Sequence, residues 1–152
     1  MKTHSTKAVE IKHEWQVVDA SEETLGRLAS RIAHLLMGKH KPNFVRNLDT
    51  GDYVVVLNAD KIRVSGKKMS QKIYYHYTGY PGGLKQISLA DLMAEHPTRA
   101  LEHAVRGMLP HTHLGDRMMT KLRVYTGDSH PHEAQLKKAK AEGKEGASEK
   151  KA

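Results

Sequence analysis

Cysteine is absent from all 152 residues, which removes disulfides, thiol chemistry and every Cys-ligated zinc site. Aromatic residues are scarce, with one Trp, one Phe and six Tyr. No apolar run approaches the roughly 18 residues that a membrane-spanning helix needs, and no signal-like hydrophobic segment follows the N-terminus. The expectation is a cytoplasmic protein with no membrane partner. The most telling absence is local. From Lys61 to Ala90 there is no Asp or Glu, while Lys61, Arg63, Lys67, Lys68, Lys72 and Lys85 give a formal charge of +6 against +8 for the whole chain. The rest of residues 15–136 holds ten basic and twelve acidic side chains, a net charge of −2. Positive charge concentrated on one stretch, with four of the six tyrosines inside it, suits a polyanion, and nucleic acid is the first candidate.

The length suits one domain burying roughly 70% of its unfolded surface. Residues 1–14 are polar and read as an N-terminal arm, residues 15–136 as a single α/β domain. Residues 137–152 are Lys, Ala, Glu, Gly and Ser with no large apolar group, which predicts a disordered tail. Trp15 to Asp19 reads as a strand. A helix follows, capped by Asp19 or Ser21, with Glu22 and Glu23 in its first turn. Leu25, Leu28, Ala29, Ile32, Leu35 and Leu36 form its apolar stripe, and Gly38 is placed for a left-handed C-terminal cap. Tyr53 to Leu57 is an unbroken apolar strand, which implies cover on both faces. Ile62 to Val64 reads as a short strand, Ile73 to Thr78 as extended or partly helical, and Gly79 to Gly83 as a loop. Ser88 with Asp91 starts a short helix, Pro97 starts another that Pro110 ends, and Leu122 to Tyr125 is a last strand. This alternation argues for an α/β layered fold.

The basic stretch is the leading functional constellation. Its six cations would neutralise phosphates and release counterions. Tyr74, Tyr75, Tyr77, Tyr80 and His76 would stack on unpaired bases or lie against riboses, and Gly79, Gly82 and Gly83 would let backbone approach phosphate. The blander account makes the lysines a solvated face and the tyrosines core, and at least two of the four tyrosines are expected in the core in either case. Lys39, His40, Lys41 and Arg46 form a second basic cluster just past the first helix, where cations also complement the helix dipole. His111, His113, His130 and His132 invite a metal, but their pairs sit in expected loops without a third ligand, so no metal site is assigned. Ser65-Gly66-Lys67-Lys68 resembles the end of a phosphate-binding P-loop, yet its earlier glycine would fall at Lys61. Asp49 and Asp52 flank Thr50-Gly51 and read as turn residues. No nucleophile stands with a base, so the chain is not read as an enzyme, and no cofactor or small-molecule substrate is expected.

Several blocks carry a resemblance. They are Trp15 to Asp19, Thr24-Leu25-Gly26-Arg27-Leu28-Ala29, Gly38-Lys39-His40-Lys41, Gly51 to Val56 with Asn58-Ala59, and Tyr77 to Lys85. Ala104 to Pro110, Leu114-Gly115, Leu122 to Tyr125 and His130-Pro131-His132 complete the set. In this order, over nearly all of Trp15 to Gln135, the chain resembles the bacterial-type ribosomal protein L13 family of the large subunit. That resemblance implies a three-layer α/β/α fold around a small, mainly parallel sheet of about four strands. It also implies a structural role in the large subunit, binding to large-subunit (23S-type) rRNA early in assembly, and neighbouring ribosomal proteins as partners. Carried over by motif, it adds Arg106, Arg123, His130 and His132 to the rRNA-proximal set of Lys39, His40, Lys41, Lys67, Lys68, Lys72, His76, Gly82, Gly83 and Lys85; the charge reading contributes Arg46, Lys61 and Arg63, and the stacking reading Tyr77. One departure stands out. Where the family commonly has a basic residue, Asn, a second basic residue and then Leu-Gly-Arg, this chain has His111, Thr112, His113 and Asp116, which removes cationic contacts at that turn.

Overall fold

The apolar stripe of the first helix decides where the other elements sit. In the computed structural model, whose described residues are 5–136, helix α1 spans Leu25–Met37 and buries Leu25, Leu28, Ala29, Ile32, Ala33 and Leu36. Gly38 ends it in the left-handed conformation, with φ +78°. A Cβ there would lie 2.6 Å from Thr50 Oγ1, so conformation and packing both select glycine. The start of the helix differs from expectation. Thr24 is the N-cap, and Glu22 and Glu23 precede the helix. Asp19 Oδ1 instead accepts from the amide and hydroxyl of Ser21, both at 2.9 Å. That side-chain turn delays the helix, and Glu23 pairs with Arg31 at 3.0 Å.

Strands β1 (Trp15–Asp19), β2 (Tyr53–Leu57) and β5 (Leu122–Val124) are parallel and lie in the order β1-β2-β5. Central β2 holds Val54, Val55 and Val56 with no exposure, as an unbroken apolar run requires. Register aligns Gln16, Val54 and Leu122 in one row and Val18, Val56 and Val124 in the next. The apolar members of these rows pack with α1 and with Leu101 and Val105 of α4 (Pro97–Met108). Each fully buried aliphatic there contributes roughly 1.5–3 kcal/mol. Val17, Val55 and Arg123 share the other face, where Trp15 stacks on Tyr53 at 4.6 Å. The α/β class and the parallel sheet agree with expectation, and helices pack around the sheet. The strand anticipated at Ile62 to Val64 shrinks to one bridge between Arg63 and Thr24, so the central sheet has three strands among the described residues. Ile62 is nonetheless buried; the segment plugs the core without running far enough to pair.

A second, antiparallel sheet of two strands stands apart: β3 (Ile73–Tyr77) and β4 (Leu84–Ser88), preceded by the single turn α2 (Lys68–Gln71). Thr78 N donates to Gly83 O at 3.1 Å to close the hairpin turn, and Gly83 N to Tyr80 O at 2.8 Å. A Cβ on Gly83 would meet Thr78 Oγ1 at 2.1 Å. Tyr74 and Ile87 pack on Leu89, Leu92 and Ala100, joining the hairpin to α3 (Leu89–Glu95) and α4. Ser88 caps α3 by accepting from Asp91 N at 3.2 Å. Helix α5 (His113–Met119), capped by Thr112, occupies a segment expected as loop. The arm is tied down at its end, because Glu14 N donates to Asp52 Oδ1 at 2.9 Å. The tail expected at 137–152 lies outside the described residues.

Candidate nucleic-acid interface

Because the three strands run the same way, the sheet has two chemically distinct ends. At the C-terminal end, Lys61 Nζ donates to Asn58 Oδ1 at 3.0 Å, just beyond β2. Arg63 O accepts from Leu25 N at 2.9 Å, which fixes that arginine beside the first turn of α1. Lys67 precedes α2. Lys68 and Lys72 line an open cavity of about 380 Å³ with Thr24, Gly26, Ser65 and Gly107. Here the positive dipole end of α1 adds to the side-chain charge. Lys72 also lies 5.0 Å above the Tyr74 ring, and Lys85 stands opposite His76 across the hairpin. All six cations of the acid-free stretch are exposed, and among the described residues none pairs with a carboxylate. One acid stands close by. Asp19 is held below the ordinary carboxylate pKa, chiefly by the Ser21 amide and then its hydroxyl, with Asn58 and the Lys61 charge acting the same way.

The opposite end has a different character. Asp52 is fully buried and accepts from Glu14 N, from Gln16 Nε2 at 3.0 Å, from His40 Nε2 at 2.9 Å and from Lys41. Lys41 keeps only 14% of its side chain exposed and also donates to Lys12 O at 2.6 Å. Beside it, Lys121 is 5% exposed and donates to Asp49 at 2.5 Å and to Gly51 O at 2.9 Å. His40 and Lys41 are therefore engaged internally, whereas Lys39 and Arg46 project outward. Sequence reading took Asp49 and Asp52 for turn residues and missed this network. The available signal was an aspartate directly before an unbroken apolar strand, a position that burial forces to find donors. Helix α1, 13 residues long, separates the two ends by about 20 Å.

The remaining candidates divide again. Arg123 is exposed in the row of Val17 and Val55. On that face His132 Nε2 lies 2.9 Å from Tyr125 Oη, its ring 5.2 Å from Trp15, and His132 N donates to His130 Nδ1 at 3.1 Å. The two histidines thus organise the chain end against the sheet. Arg106 stands 4.0 Å from Asp116, both 69% exposed, so the acidic residue at the divergent turn opposes one of the expected cations. Gly82, with φ +72°, and Gly83 have turn-forming reasons of their own. Of the four clustered tyrosines only Tyr74 turns into the core. Tyr75, Tyr77 and Tyr80 are 62%, 59% and 75% exposed, which corrects the expectation of two core rings. The hairpin explains this, since alternation on its one covered face admits only Tyr74. Among the described residues no group of three or more His, Asp or Glu side chains is placed to hold a metal ion, and no helix there is long and apolar enough to cross a membrane.

Residues 13–131 match the family model described as ribosomal protein L13. The chain belongs to that family. It is 55% identical over 139 residues to the large ribosomal subunit protein uL13 of Francisella tularensis subsp. holarctica (strain FTNF002-00 / FTA), covering 91% of this chain and 98% of that protein. It is 54% identical over 138 residues to the uL13 of Roseiflexus sp. (strain RS-1), covering 91% and 94%. To that of Alcanivorax borkumensis it is 57% identical over 135 residues, covering 89% and 95%. Ribosomal protein L13 is a family of structural ribosomal proteins, not of enzymes, which agrees with the expectation that the chain performs no catalysis.

Proposed function

We propose that this chain is a structural constituent of the large ribosomal subunit in the cytoplasm, that residues 15–136 bind large-subunit rRNA, and that it assists early subunit assembly beside neighbouring ribosomal proteins. Membership of the ribosomal protein L13 family supports the subunit role. One observation carries the RNA reading: six exposed cations, without carboxylate partners among the described residues, gather at the C-terminal end of the sheet and on the hairpin. A cation already paired inside the protein gains little from a phosphate, whereas an unpaired exposed one releases counterions when it meets one. Lys61, Arg63, Lys67, Lys68, Lys72 and Lys85 therefore form the principal phosphate-contacting set. Lys39 and Arg46 form a second contact at the far end, held in place by His40 and Lys41 on Asp52. Arg106 and Arg123 are minor contacts. A rigid body presenting charge at both ends reads duplex shape and riboses rather than base edges, the mode that A-form grooves permit.

The test is the triple variant Lys67→Ala, Lys68→Ala and Lys72→Ala, titrated with a large-subunit rRNA fragment at several salt concentrations. Each lost phosphate contact flattens the log–log salt slope by roughly 0.7–0.9. Unchanged affinity and slope would remove these lysines from the interface.

A further inference from the structure

We infer that the outer face of the β3–β4 hairpin is a stacking platform for unpaired RNA bases, a reading that rests on the rRNA-binding role proposed above. Register makes the case. Ile73, Tyr75 and Tyr77 on β3 stand on the same side as their partners Ser88, Gln86 and Leu84 on β4. Among the described residues that side is open to solvent: Ile73 is 43% exposed, Tyr75 62%, Tyr77 59% and Leu84 61%. Tyr80, in the turn, is 75% exposed. The reverse side, through Tyr74 and Ile87, is the one fastened to α3 and α4. The ribbon is thus held from behind and displays two rings and two aliphatics to the outside. A contiguous apolar patch of this kind marks a contact surface.

Charge selects the occupant. The whole stretch from Lys61 to Ala90 lacks acidic residues, and Lys72 and Lys85 border the ribbon at its base and on its reverse side. Both lysines lie on the reverse side, Lys72 over the Tyr74 ring and Lys85 opposite His76, so a strand whose phosphates they hold passes over the ribbon's edge to lay its bases on the outer face. Tyr75 and Tyr77 alternate along β3, about 7 Å apart, and among the described residues neither ring touches another ring. Their faces are free for flat groups. Paired bases in an A-form duplex are already stacked and buried, so only nucleotides from a loop, bulge or single strand can use these rings.

The experiment uses the full chain and two probes: an RNA of about eight unpaired nucleotides carrying one 2-aminopurine, and a fully paired RNA duplex. Tyr75→Leu with Tyr77→Leu keeps apolar bulk and strand character while removing the rings, and a thermal melt near wild type confirms the hairpin stays packed. Stacking predicts 2-aminopurine quenching by the wild type. It also predicts a loss of affinity for unpaired RNA on the order of tenfold per ring in the double variant. Duplex affinity and salt slope stay unchanged, and Tyr75→Phe with Tyr77→Phe restores binding. If the leucine variant binds unpaired RNA as tightly as wild type, the platform is refuted; its loss of binding to large-subunit proteins instead would mark the face as a protein contact. Failure of the wild type to bind either RNA would sink the rRNA reading along with the platform, so the two failures are distinguishable.

Discussion

The two ends of the sheet use the same residue types for opposite purposes. Near the start of β2, Lys41 and His40 close on buried Asp52, and Lys121 closes on Asp49 and Gly51. Around α2 and the hairpin, the lysines form no ion pair among the described residues and are exposed. Lys39-His40-Lys41 and Lys67-Lys68 look alike as basic clusters, yet two members of the first are internal ties, while neither member of the second pairs with a carboxylate among the described residues and Lys68 donates only to Ser65 Oγ at 3.3 Å. A buried carboxylate decides the difference: once Asp52 loses water it must recruit donors, and the nearest cations are drawn in with it. Cations therefore report on function only after their partners are known.

The comparison breaks most sharply at Asp52. Asp52→Ala leaves Lys41 and His40 without their acceptor, and chemical denaturation should show a loss of about 3–5 kcal/mol. The Lys67, Lys68 and Lys72 substitutions should each stay within about 0.5 kcal/mol in the same assay. Equal stability losses at the two ends would erase the distinction. Next comes Gly82→Ala. Its left-handed φ of +72° meets no steric neighbour, so the cost is conformational alone, about 1–2 kcal/mol, and it should appear as faster amide exchange confined to the hairpin. Smallest is the effect at Asp19. Its carboxylate is held low by hydrogen bonds that favour the charged form, so its stabilising contribution is present above the ordinary carboxylate pKa. It fades as pH falls through the lowered value. Asp19→Asn should therefore be less stable than wild type at neutral pH and converge with it in acid; a gap that persists in acid would refute the assignment.

Much of the fold was legible because it depends on local pattern. The stripe from Leu25 to Leu36, the cap at Gly38, the run at Val54 to Val56, the start at Ser88 and the prolines at 97 and 110 all act through periodicity or backbone restriction, which neighbours do not alter. β4 was missed because Leu84-Lys85-Gln86-Ile87-Ser88 has little strand character by itself and is extended only through pairing with β3. α5 was missed because Pro110 and His111 before it and Gly115 within it suggested a loop, while Thr112 supplied a cap whose amide partner lies three residues on. In the candidate site, the list of cations was readable, but their division into ties and free groups was not.

Sequence by itself determined the α/β class, the first helix and central strand, the absence of cysteine chemistry, and a segment of 30 residues with no acid to neutralise it. Only the tertiary structure decided which lysines have carboxylate partners, which tyrosine turns inward, and that among the described residues one face of the hairpin is exposed. Periodicity and composition are properties of neighbours along the chain, whereas burial and pairing are set by residues such as Lys41 and Asp52, or Lys121 and Asp49, that meet only once the layers close.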